Sequence, residues 1–282
     1  MLRVNTIADV REQIASRRAN GQRIALVPTM GFLHEGHLSL VDHARKHAQC
    51  VVMSVFVNPL QFGPSEDLAT YPRDLERDAT LAHSRGTDIL FAPTAEQMYP
   101  RQRPAITMVA PALSDRLCGK YRPGHFEGVL TVVAKLFNIV QPDVSVFGQK
   151  DFQQSVVIRR MVRDFDFPIE IAVAPIVREA DGLAMSSRNV YLSPDERRAA
   201  ATLNRALREG QSAFAAGQRN PTLILDRVNA VIGGEPAVGL QYLELVEPDG
   251  LQRPGSAEPG HVLAIAAFVG RTRLIDNVIL SA

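Results

Sequence analysis

One stretch near the start of the chain constrains both its fold and its chemistry. An apolar run at residues 24–27 leads into a glycine-bearing turn at 28–31, and an amphipathic segment follows at 38–47. This order predicts a buried strand, a turn and a helix that begins close to His34 and His37. A helix start offers unpaired backbone N–H groups and the positive end of the helix dipole. The stretch therefore predicts an anion site, and phosphate is the anion that we expect.

Strand and helix patterns alternate through the first part of the chain. Strands are predicted at 23–28, 50–57, 88–92, 106–109, 144–147 and 169–174, and helices at 6–20, 36–49, 72–85, 126–140 and 151–163. This alternation favours an α/β fold with a Rossmann-like, doubly wound parallel sheet. Helices at 194–216 and 221–232 then precede strands at 240–246, 261–269 and 272–280. We therefore expect two domains, 1–176 and a smaller α+β domain at 177–282.

Composition excludes several classes of function. The 31 Lys and Arg nearly balance the 30 Asp and Glu, for a formal net charge of +1, so no general attraction to nucleic acid or anionic membranes is expected. No signal-peptide pattern or bilayer-spanning apolar window is evident. Cys50 and Cys118 form no CxxC pair and are expected to be reduced and buried. These features predict a cytoplasmic, globular protein.

Polar clusters follow the predicted strands at 30–37, 58–61 and 148–154, with another at 185–188. Ligands of open parallel sheets bind beyond the carboxyl ends of the strands. His34 and His37 alone also fit a solvated helix face or half of a zinc site, but zinc requires further ligands and none is evident. Gly36 permits close backbone approach to a ligand. A phosphate site is therefore the favoured interpretation.

The other clusters supply groups that suit a nucleotide and a carboxylate substrate. Lys150 is a cation for phosphate, and Asp151 is either a helix cap or a ligand for a ribose hydroxyl. Gln153 or Gln154 offers an amide. The segment Met185-Ser186-Ser187-Arg188 combines two hydroxyls with an arginine, which predicts an anion clamp on a mobile loop. Arg122 and His125 fit a loop and helix cap as well as they fit a substrate-side role.

Five motifs together resemble the pantothenate synthetases, or pantoate–β-alanine ligases, along essentially the whole chain. They are PTMGFLHEGH (28–37), NPLQFGPSEDLATYPR (58–73), YRPGHFEGV (121–129), FGQKDFQQ (147–154) and MSSRN (185–189). The first motif also resembles that of the HIGH-motif nucleotidyltransferases. The resemblance implies that pantoate and ATP give pantoyl adenylate and pyrophosphate, and that β-alanine then yields pantothenate and AMP. It also implies Mg²⁺ with the ATP, and a homodimer.

The resemblance assigns roles to individual residues. His37, as proton donor, His34 and Lys150 would be the catalytic residues. Gln61 would contact pantoate beside the β-alanine site, Gln154 would hold pantoate from the other side, and Asn58, Arg122 and His125 would lie on the substrate side. Asp78 would contribute indirectly to the metal site. The ATP site would comprise Met30, Gly31, Phe32, Leu33, His34, Glu35, Gly36, His37, Gly148, Gln149, Lys150, Asp151, Val177, Met185, Ser186, Ser187 and Arg188.

Two departures and two alternatives accompany this assignment. Phe32 stands where the family usually has a small or polar residue, and Gln149 stands where Glu is common. One alternative is another HIGH-motif adenylyltransferase of cofactor biosynthesis, which would need a further basic cluster for a phosphate acceptor and would not need Gln61 and Gln154. The other is an RNA-binding module that uses the C-terminal domain, against which the near-zero net charge argues.

Overall fold

A computed structural model of the chain describes residues 1–64, 66–102 and 104–281. By their contacts the residues fall into two compact units. The first contains Met1–Asp115, Gly119–Gly148 and Val157–Pro175; the second contains Arg116–Cys118, Gln149–Val156 and the chain from Ile176 onward. Because compactness does not show which segments fold independently, the domains 1–176 and 177–282 stay a prediction.

The first unit is built on a six-stranded parallel sheet. Its strands are β1 (Leu2–Val4), β2 (Ile24–Thr29), β3 (Cys50–Val55), β4 (Ile89–Phe91), β5 (Val144–Gly148) and β6 (Glu170–Ala174). They lie in the order β1-β4-β3-β2-β5-β6. From β2 the chain moves to β3 on one side, and β5 pairs with β2 on the other. The sheet therefore has a switch in strand order between β2 and β5, where such folds bind ligands.

Helices connect these strands. They are α1 (Ile7–Ala19), α2 (Glu35–Arg45), α3 (Leu75–Ser84), α4 (Ala95–Met98), α5 (Pro111–Ser114), α6 (Leu117–Tyr121), α7 (His125–Val140) and α8 (Phe152–Asp164). Alternate strand residues such as Val27 and Met53 pack with Leu38 and Val41 of α2 in one buried cluster, as the two-residue period of a strand requires. This packing places the start of α2 directly beyond the end of β2.

From Ile176 onward, the described residues of the second unit form three α-helices followed by three strands. The helices are α9 (Pro194–Ala200), α10 (Thr202–Ala215) and α11 (Pro221–Gly233), and the strands are β7 (Val238–Val246), β8 (Val262–Val269) and β9 (Thr272–Ile279). The strands form an antiparallel sheet in the order β7-β8-β9. Leu203, Phe214 and Val228 of the helices pack with Leu263 and Ile265 of β8 in its core. The predicted hairpin of the last two strands is confirmed.

The structure corrects two predicted elements. Residues 106–109 form no strand, and Ile106 and Val109 are 85% and 64% exposed. This short run lies between Pro104 and Pro111, and proline cannot donate to a strand ladder. The predicted helix 194–216 is two consecutive helices, separated at Ala201, whose backbone stays in the right-handed helical region (φ −61°, ψ −19°).

Four short elements were absent from the predictions, whereas the state of the two cysteines agrees with them. The short elements β1, α4, α5 and α6 were not predicted, since runs of three to five residues carry little periodicity. Cys50 and Cys118 are both free and buried, as expected. Within the described residues, no helix has the length and apolar composition needed to cross a bilayer.

Candidate active site

The turn after β2 contains two residues in the left-handed region of backbone space. Gly31 has a φ of 83° and Phe32 a φ of 50°, and only glycine enters this region without steric cost. A Cβ on Gly31 would lie 2.9 Å from Oδ2 of Asp78 and 2.9 Å from Cγ1 of Val55. Phe32 therefore holds a backbone angle that a bulky side chain rarely adopts.

Asp78 of α3 anchors this turn from a buried position. Its Oδ2 accepts the N–H of Phe32 at 2.7 Å, and its Oδ1 accepts the N–H of Leu33 at 2.6 Å. Arg77 donates to the Leu33 carbonyl at 2.9 Å, and its guanidinium lies 5.2 Å from the centroid of the Phe32 ring. Burial raises the pKa of the Asp78 carboxyl, against the opposing effect of the two N–H groups and Arg77. Asp78 therefore shapes the turn.

The predicted metal role of Asp78 has no supporting contact. Among the residues that the structure describes, no group of three or more His, Cys, Asp or Glu side chains is arranged to hold a metal ion. A Mg²⁺ ion bound to ATP takes most of its ligands from phosphate and water. The residues present therefore fit a metal that arrives with the nucleotide better than one held in a protein cage.

His34 and His37 cap the start of α2. His34 is the N-cap, and its Nδ1 accepts the N–H of Gly36 at 3.1 Å. Nδ1 of His37 accepts the N–H of His34 at 3.4 Å, and the two ring centroids are 4.0 Å apart. A neutral imidazole that accepts at Nδ1 carries its proton on Nε2. Each ring therefore has a donor at Nε2, close to the positive end of the helix dipole.

The remaining residues of this stretch contribute in different ways. The Met30 sulfur accepts a hydrogen bond from Nε2 of Gln61 at 3.1 Å. Glu35 is exposed and forms an ion pair with Arg85, which leaves its backbone as the part suited to a ligand. Gly148, at the end of β5, faces α2, since a Cβ there would lie 3.9 Å from Cδ2 of Leu40. Because β5 pairs with β2 in the sheet, Gly148 lies at the switch in strand order, where such folds bind ligands.

A short 3₁₀ turn, Pro59–Gln61, follows β3 and is held by Asn58. Asn58 is 1% exposed; its Nδ2 donates to Oε1 of Gln61 at 3.1 Å and to the Gly128 carbonyl at 3.0 Å. Its Oδ1 accepts from the Tyr99 hydroxyl at 2.9 Å, and burial raises the pKa of that hydroxyl, which therefore stays protonated. These contacts suit Asn58 to holding the Gln61 side chain in position from the buried side of the turn.

Arg122 and His125 support the same turn from α7 and the loop before it. His125 Nδ1 lies 2.8 Å from the Gln61 carbonyl oxygen, and Arg122 Nη1 lies 3.0 Å from His125 Nε2. A tautomer that donates from Nδ1 and accepts at Nε2 satisfies both contacts. Arg122 also donates through Nε to Glu66 at 2.8 Å. Sequence reasoning left their role open between a structural and a substrate-side position, and these contacts favour the former.

In the second unit, the Lys-Asp cluster forms another 3₁₀ turn, Gln149–Asp151, directly before α8. Its backbone is fastened by Asn277 of β9, whose Nδ2 donates to the carbonyls of Gln149 and Lys150 at 3.0 Å each. In the first turn of α8, Gln153 is buried and donates to the Arg116 carbonyl at 2.8 Å. Gln154 is half-buried, so it is the better placed of the two for a ligand.

The Ser-Ser-Arg cluster follows a small hairpin of the second unit. Met185 N–H donates to the Val177 carbonyl at 3.0 Å, and Arg178 pairs with Ala184 in an antiparallel bridge. Ser186 then caps the 3₁₀ turn Ser187–Tyr191, its Oγ accepting the Arg188 N–H at 3.3 Å. The backbone of Val177 and the hydroxyl of Ser186 thus have defined partners within the hairpin. That this segment moves stays a prediction.

The residues that the sequence analysis missed are those that hold the turns of the site in place. Arg77, Tyr99 and Glu66 hold the turns of the first unit, and Asn277 holds a turn of the second. Glu66 lies inside the second motif and Arg77 lies just after it. Their proximity to the motif could therefore have identified both residues from the sequence. Tyr99 and Asn277 lie far from every motif, and only the fold brings them to the turns.

Comparisons with known proteins show the family of this chain. The family model described as pantoate-beta-alanine ligase matches residues 3–279. The chain belongs to the pantoate-beta-alanine ligase family. Pantothenate synthetase of Thermoanaerobacter sp. (strain X514) is 53% identical over 279 residues, covering 99% of this chain and 98% of that protein. Pantothenate synthetase of Moorella thermoacetica is 54% identical over 278 residues, covering 98% of each.

Solved structures of this ligase family share the fold. Pantothenate synthetase from Thermus thermophilus has a TM-score of 0.95 at 45% identity, with 100% of each chain covered. Pantoate-beta-alanine ligase from Francisella tularensis, complexed with beta-gamma ATP and beta-alanine, has a TM-score of 0.81 at 32% identity and covers 100% of this chain and 98% of that one. The α/β fold with a smaller second sheet is therefore that of pantoate-beta-alanine ligases, enzymes of pantothenate biosynthesis.

Proposed function

We propose that this chain condenses pantoate with β-alanine in two steps that use ATP. In the first, a carboxylate oxygen of pantoate attacks the α-phosphorus of ATP, and the bond to pyrophosphate breaks. In the second, the β-alanine amine attacks the acyl carbon of pantoyl adenylate, the bond to AMP breaks, and the amine loses a proton. A carboxylate is a poor acyl donor because oxide would have to leave. Adenylation replaces that leaving group with AMP, so no protein nucleophile is required.

The capped start of α2 is the observation that carries this proposal. Negative charge builds on the phosphoryl oxygens as pyrophosphate leaves, and preorganised donors that stabilise such charge are typically the largest contribution to catalysis. His34 and His37 hold their Nδ1 atoms on backbone N–H groups, which leaves Nε2–H as the donor of each ring. We assign both histidines to the ATP phosphates and His37 to proton donation. The backbone at 30–37 contributes its N–H groups and the helix dipole.

Gln61 is the residue that we assign to pantoate beside the β-alanine site. Its side chain is held between Asn58 and Met30, and its backbone is held from the other side by His125. Such a fixed amide can pair with a substrate hydroxyl and carboxylate in one orientation. Gln154 is proposed as the second pantoate contact. Asn58, Arg122 and His125 then support pantoate indirectly, through the turn that carries Gln61.

The second unit is proposed to supply the remaining nucleotide contacts. Lys150 is assigned to phosphate, Asp151 to the ribose, Val177 to adenine through its backbone, and the segment Met185, Ser186, Ser187 and Arg188 to the triphosphate. Mg²⁺ is proposed to accompany ATP, and it would reduce the negative charge of the phosphates when bound. None of these assignments requires a metal ligand from the protein.

Product analysis tests this function directly. Purified protein with Mg²⁺, ATP, pantoate and β-alanine is expected to form pantothenate and AMP in equal amounts, measured by mass spectrometry. Without β-alanine, pyrophosphate release should stop after about one turnover per site, because the adenylate stays bound. The alternative, a HIGH-motif adenylyltransferase that moves AMP onto a phosphate, would release pyrophosphate without free AMP. Absence of AMP from the complete mixture would exclude the proposed ligase activity.

Three further expectations accompany this function. We propose a homodimer, as the resemblance implies, which light scattering during size-exclusion chromatography can test. We propose a cytoplasmic location, because the reaction consumes ATP. We also retain 1–176 and 177–282 as domains, and limited proteolysis that cuts near residue 176 would support this division.

A further inference from the structure

A buried ion pair of the second unit lies outside every predicted motif. Arg178 donates from Nη1 to Oδ2 of Asp276 at 2.7 Å and from Nη2 to Oδ1 at 2.9 Å. The Asp276 side chain is 1% exposed and that of Arg178 is 18% exposed. Two parallel N–H···O bonds fix both the distance and the orientation of an arginine–carboxylate pair. The pair therefore holds the end of β9, to which Asp276 belongs, in a fixed position relative to Arg178.

Asn277, the next residue of β9, connects this ion pair to the turn Gln149–Asp151 through hydrogen bonds. Its Nδ2 donates to the carbonyls of Gln149 and Lys150, and its Oδ1 accepts from Nε2 of Gln149 at 3.2 Å. Its own N–H donates to Asp276 at 2.8 Å. Asn277 is 2% exposed, so each of these partners would be costly to lose. One side-chain amide thus fastens three polar atoms of the turn Gln149–Asp151.

Arg178 connects the same point to the hairpin before the Ser-Ser-Arg cluster. Its Nη1 also donates to the Gly182 carbonyl at 3.0 Å, and its Nη2 to the Asn277 carbonyl at 3.3 Å. Its backbone forms the bridge to Ala184, one residue before Met185. A single guanidinium therefore contacts the turn of this hairpin and the strand that holds the Lys150 turn.

We propose that Asn277, held by the Arg178–Asp276 pair, is a positioning residue for the nucleotide. It sets the backbone of the turn that presents Lys150 and Asp151, while Arg178 sets the hairpin that presents Ser186 and Arg188. The two groups of contacts are thereby fixed relative to one another within the second unit. This inference rests on the proposed function and adds three residues to it, which act through the backbone that they hold.

The variant Asn277→Asp tests the inference with the smallest change of shape. It replaces the Nδ2 donor with an oxygen that faces two carbonyl oxygens. The loss of two buried hydrogen bonds predicts an increase of about tenfold or more in the dissociation constant of a non-hydrolysable ATP analogue with Mg²⁺, measured by calorimetry. The KM for β-alanine should change by less than about twofold, since only nucleotide contacts are displaced. Arg178→Lys, which keeps the charge but loses the paired donors, should give an intermediate effect.

Two further variants and one further measurement separate positioning from general damage to the fold. Asn277→Ala removes the same hydrogen bonds without adding a charge, and it replaces the aspartate variant in the affinity measurement if that variant does not fold. Val269→Ala is the matched control, because Val269 is fully buried in the core of the same unit and makes none of these hydrogen bonds. Hydrogen exchange should accelerate in the peptides covering 149–152 and 178–184 of the Asn277 variants, but not in the control.

The outcomes decide the inference independently of the ligase activity. Unchanged affinity for the ATP analogue in both Asn277 variants would overturn it, as would equal losses in Val269→Ala. If the wild-type protein binds the analogue but forms no pantothenate, the proposed function fails while the affinities still decide the role of Asn277. If the wild-type protein binds no nucleotide, both proposals are wrong.

Discussion

Nδ1 of His37 accepts the backbone N–H of His34, and this bond determines which ring nitrogen of His37 can act on a substrate. The N–H of a helix N-cap has no partner within the helix, and a side chain at the third helical position commonly satisfies it. With Nδ1 occupied, the neutral ring keeps its proton on Nε2. The cap that starts α2 therefore also prepares a hydrogen-bond donor beside the helix dipole.

Replacement of His37 should separate capping from catalysis. His37→Ala is expected to lower pantoate-dependent exchange between ATP and pyrophosphate by about 10²-fold or more, as for the loss of a donor that stabilises developing charge. His37→Gln can still cap the helix but does not place a donor where Nε2–H was, so it should be as stable as the wild type and nearly as slow as the alanine variant. Near-normal exchange in both variants would remove His37 from its assigned role.

Gln61→Ala is expected to affect pantoate far more than ATP. The KM for pantoate should rise, or kcat fall, by about tenfold or more, because the substrate loses a positioned amide. The affinity for an ATP analogue should stay within about twofold of the wild type. Gln97→Ala, an exposed position on α4, is the control and should behave as the wild type. Equal losses for pantoate and ATP would indicate a general disturbance of the fold.

Gly128→Ala should displace the backbone of the turn that carries Gln61 without changing the Gln61 side chain itself. A Cβ on Gly128 would lie 2.4 Å from the Leu60 carbonyl oxygen and 2.6 Å from the Gln61 nitrogen. Overpacking of this kind costs about 1–3 kcal/mol, so a lower melting temperature and a higher KM for pantoate are expected together. Gly233→Ala, which meets nothing within 4 Å at the end of α11, should be neutral or slightly stabilising. Wild-type kinetics for Gly128→Ala would show that the turn tolerates displacement.

Cys50 should make stability depend on pH in the alkaline range. Burial, reinforced by Asp88, raises the pKa of its thiol from the ordinary 9.0 to about 11. The folded state then holds the proton more tightly than the unfolded chain, so its stabilising contribution is lost as the pH rises from about 9 to about 11. In urea unfolding, the difference in stability between the wild type and Cys50→Ala should shrink over this interval. A constant difference would contradict the shifted pKa.

The sequence was sufficient for the layers of the fold, since β2, β3 and β5 are short apolar runs and α2 and α7 show clear periodicity. It did not reveal the separation of α9 and α10 at Ala201, because helical spacing continues on both sides of that residue. In the site, His34, His37 and Gln61 could be selected from motifs. Tyr99 and Asn277 could not, because a buried partner of a turn carries no local signal and is defined only by packing between distant segments. The contribution of Asp78 to the metal site stays a prediction, and the sequence did not reveal its contacts with the backbone N–H groups of Phe32 and Leu33.

The most direct test of the central claim follows one oxygen atom through the reaction. If pantoate is activated as its adenylate, pantoate labelled with ¹⁸O in its carboxylate must transfer one labelled oxygen to AMP when β-alanine displaces it. Mass spectrometry of AMP and pantothenate after turnover with Mg²⁺ and ATP measures this. We predict one ¹⁸O in each AMP and one in each pantothenate. Label in inorganic phosphate with formation of ADP, or unlabelled AMP, would contradict carboxylate adenylation at this site.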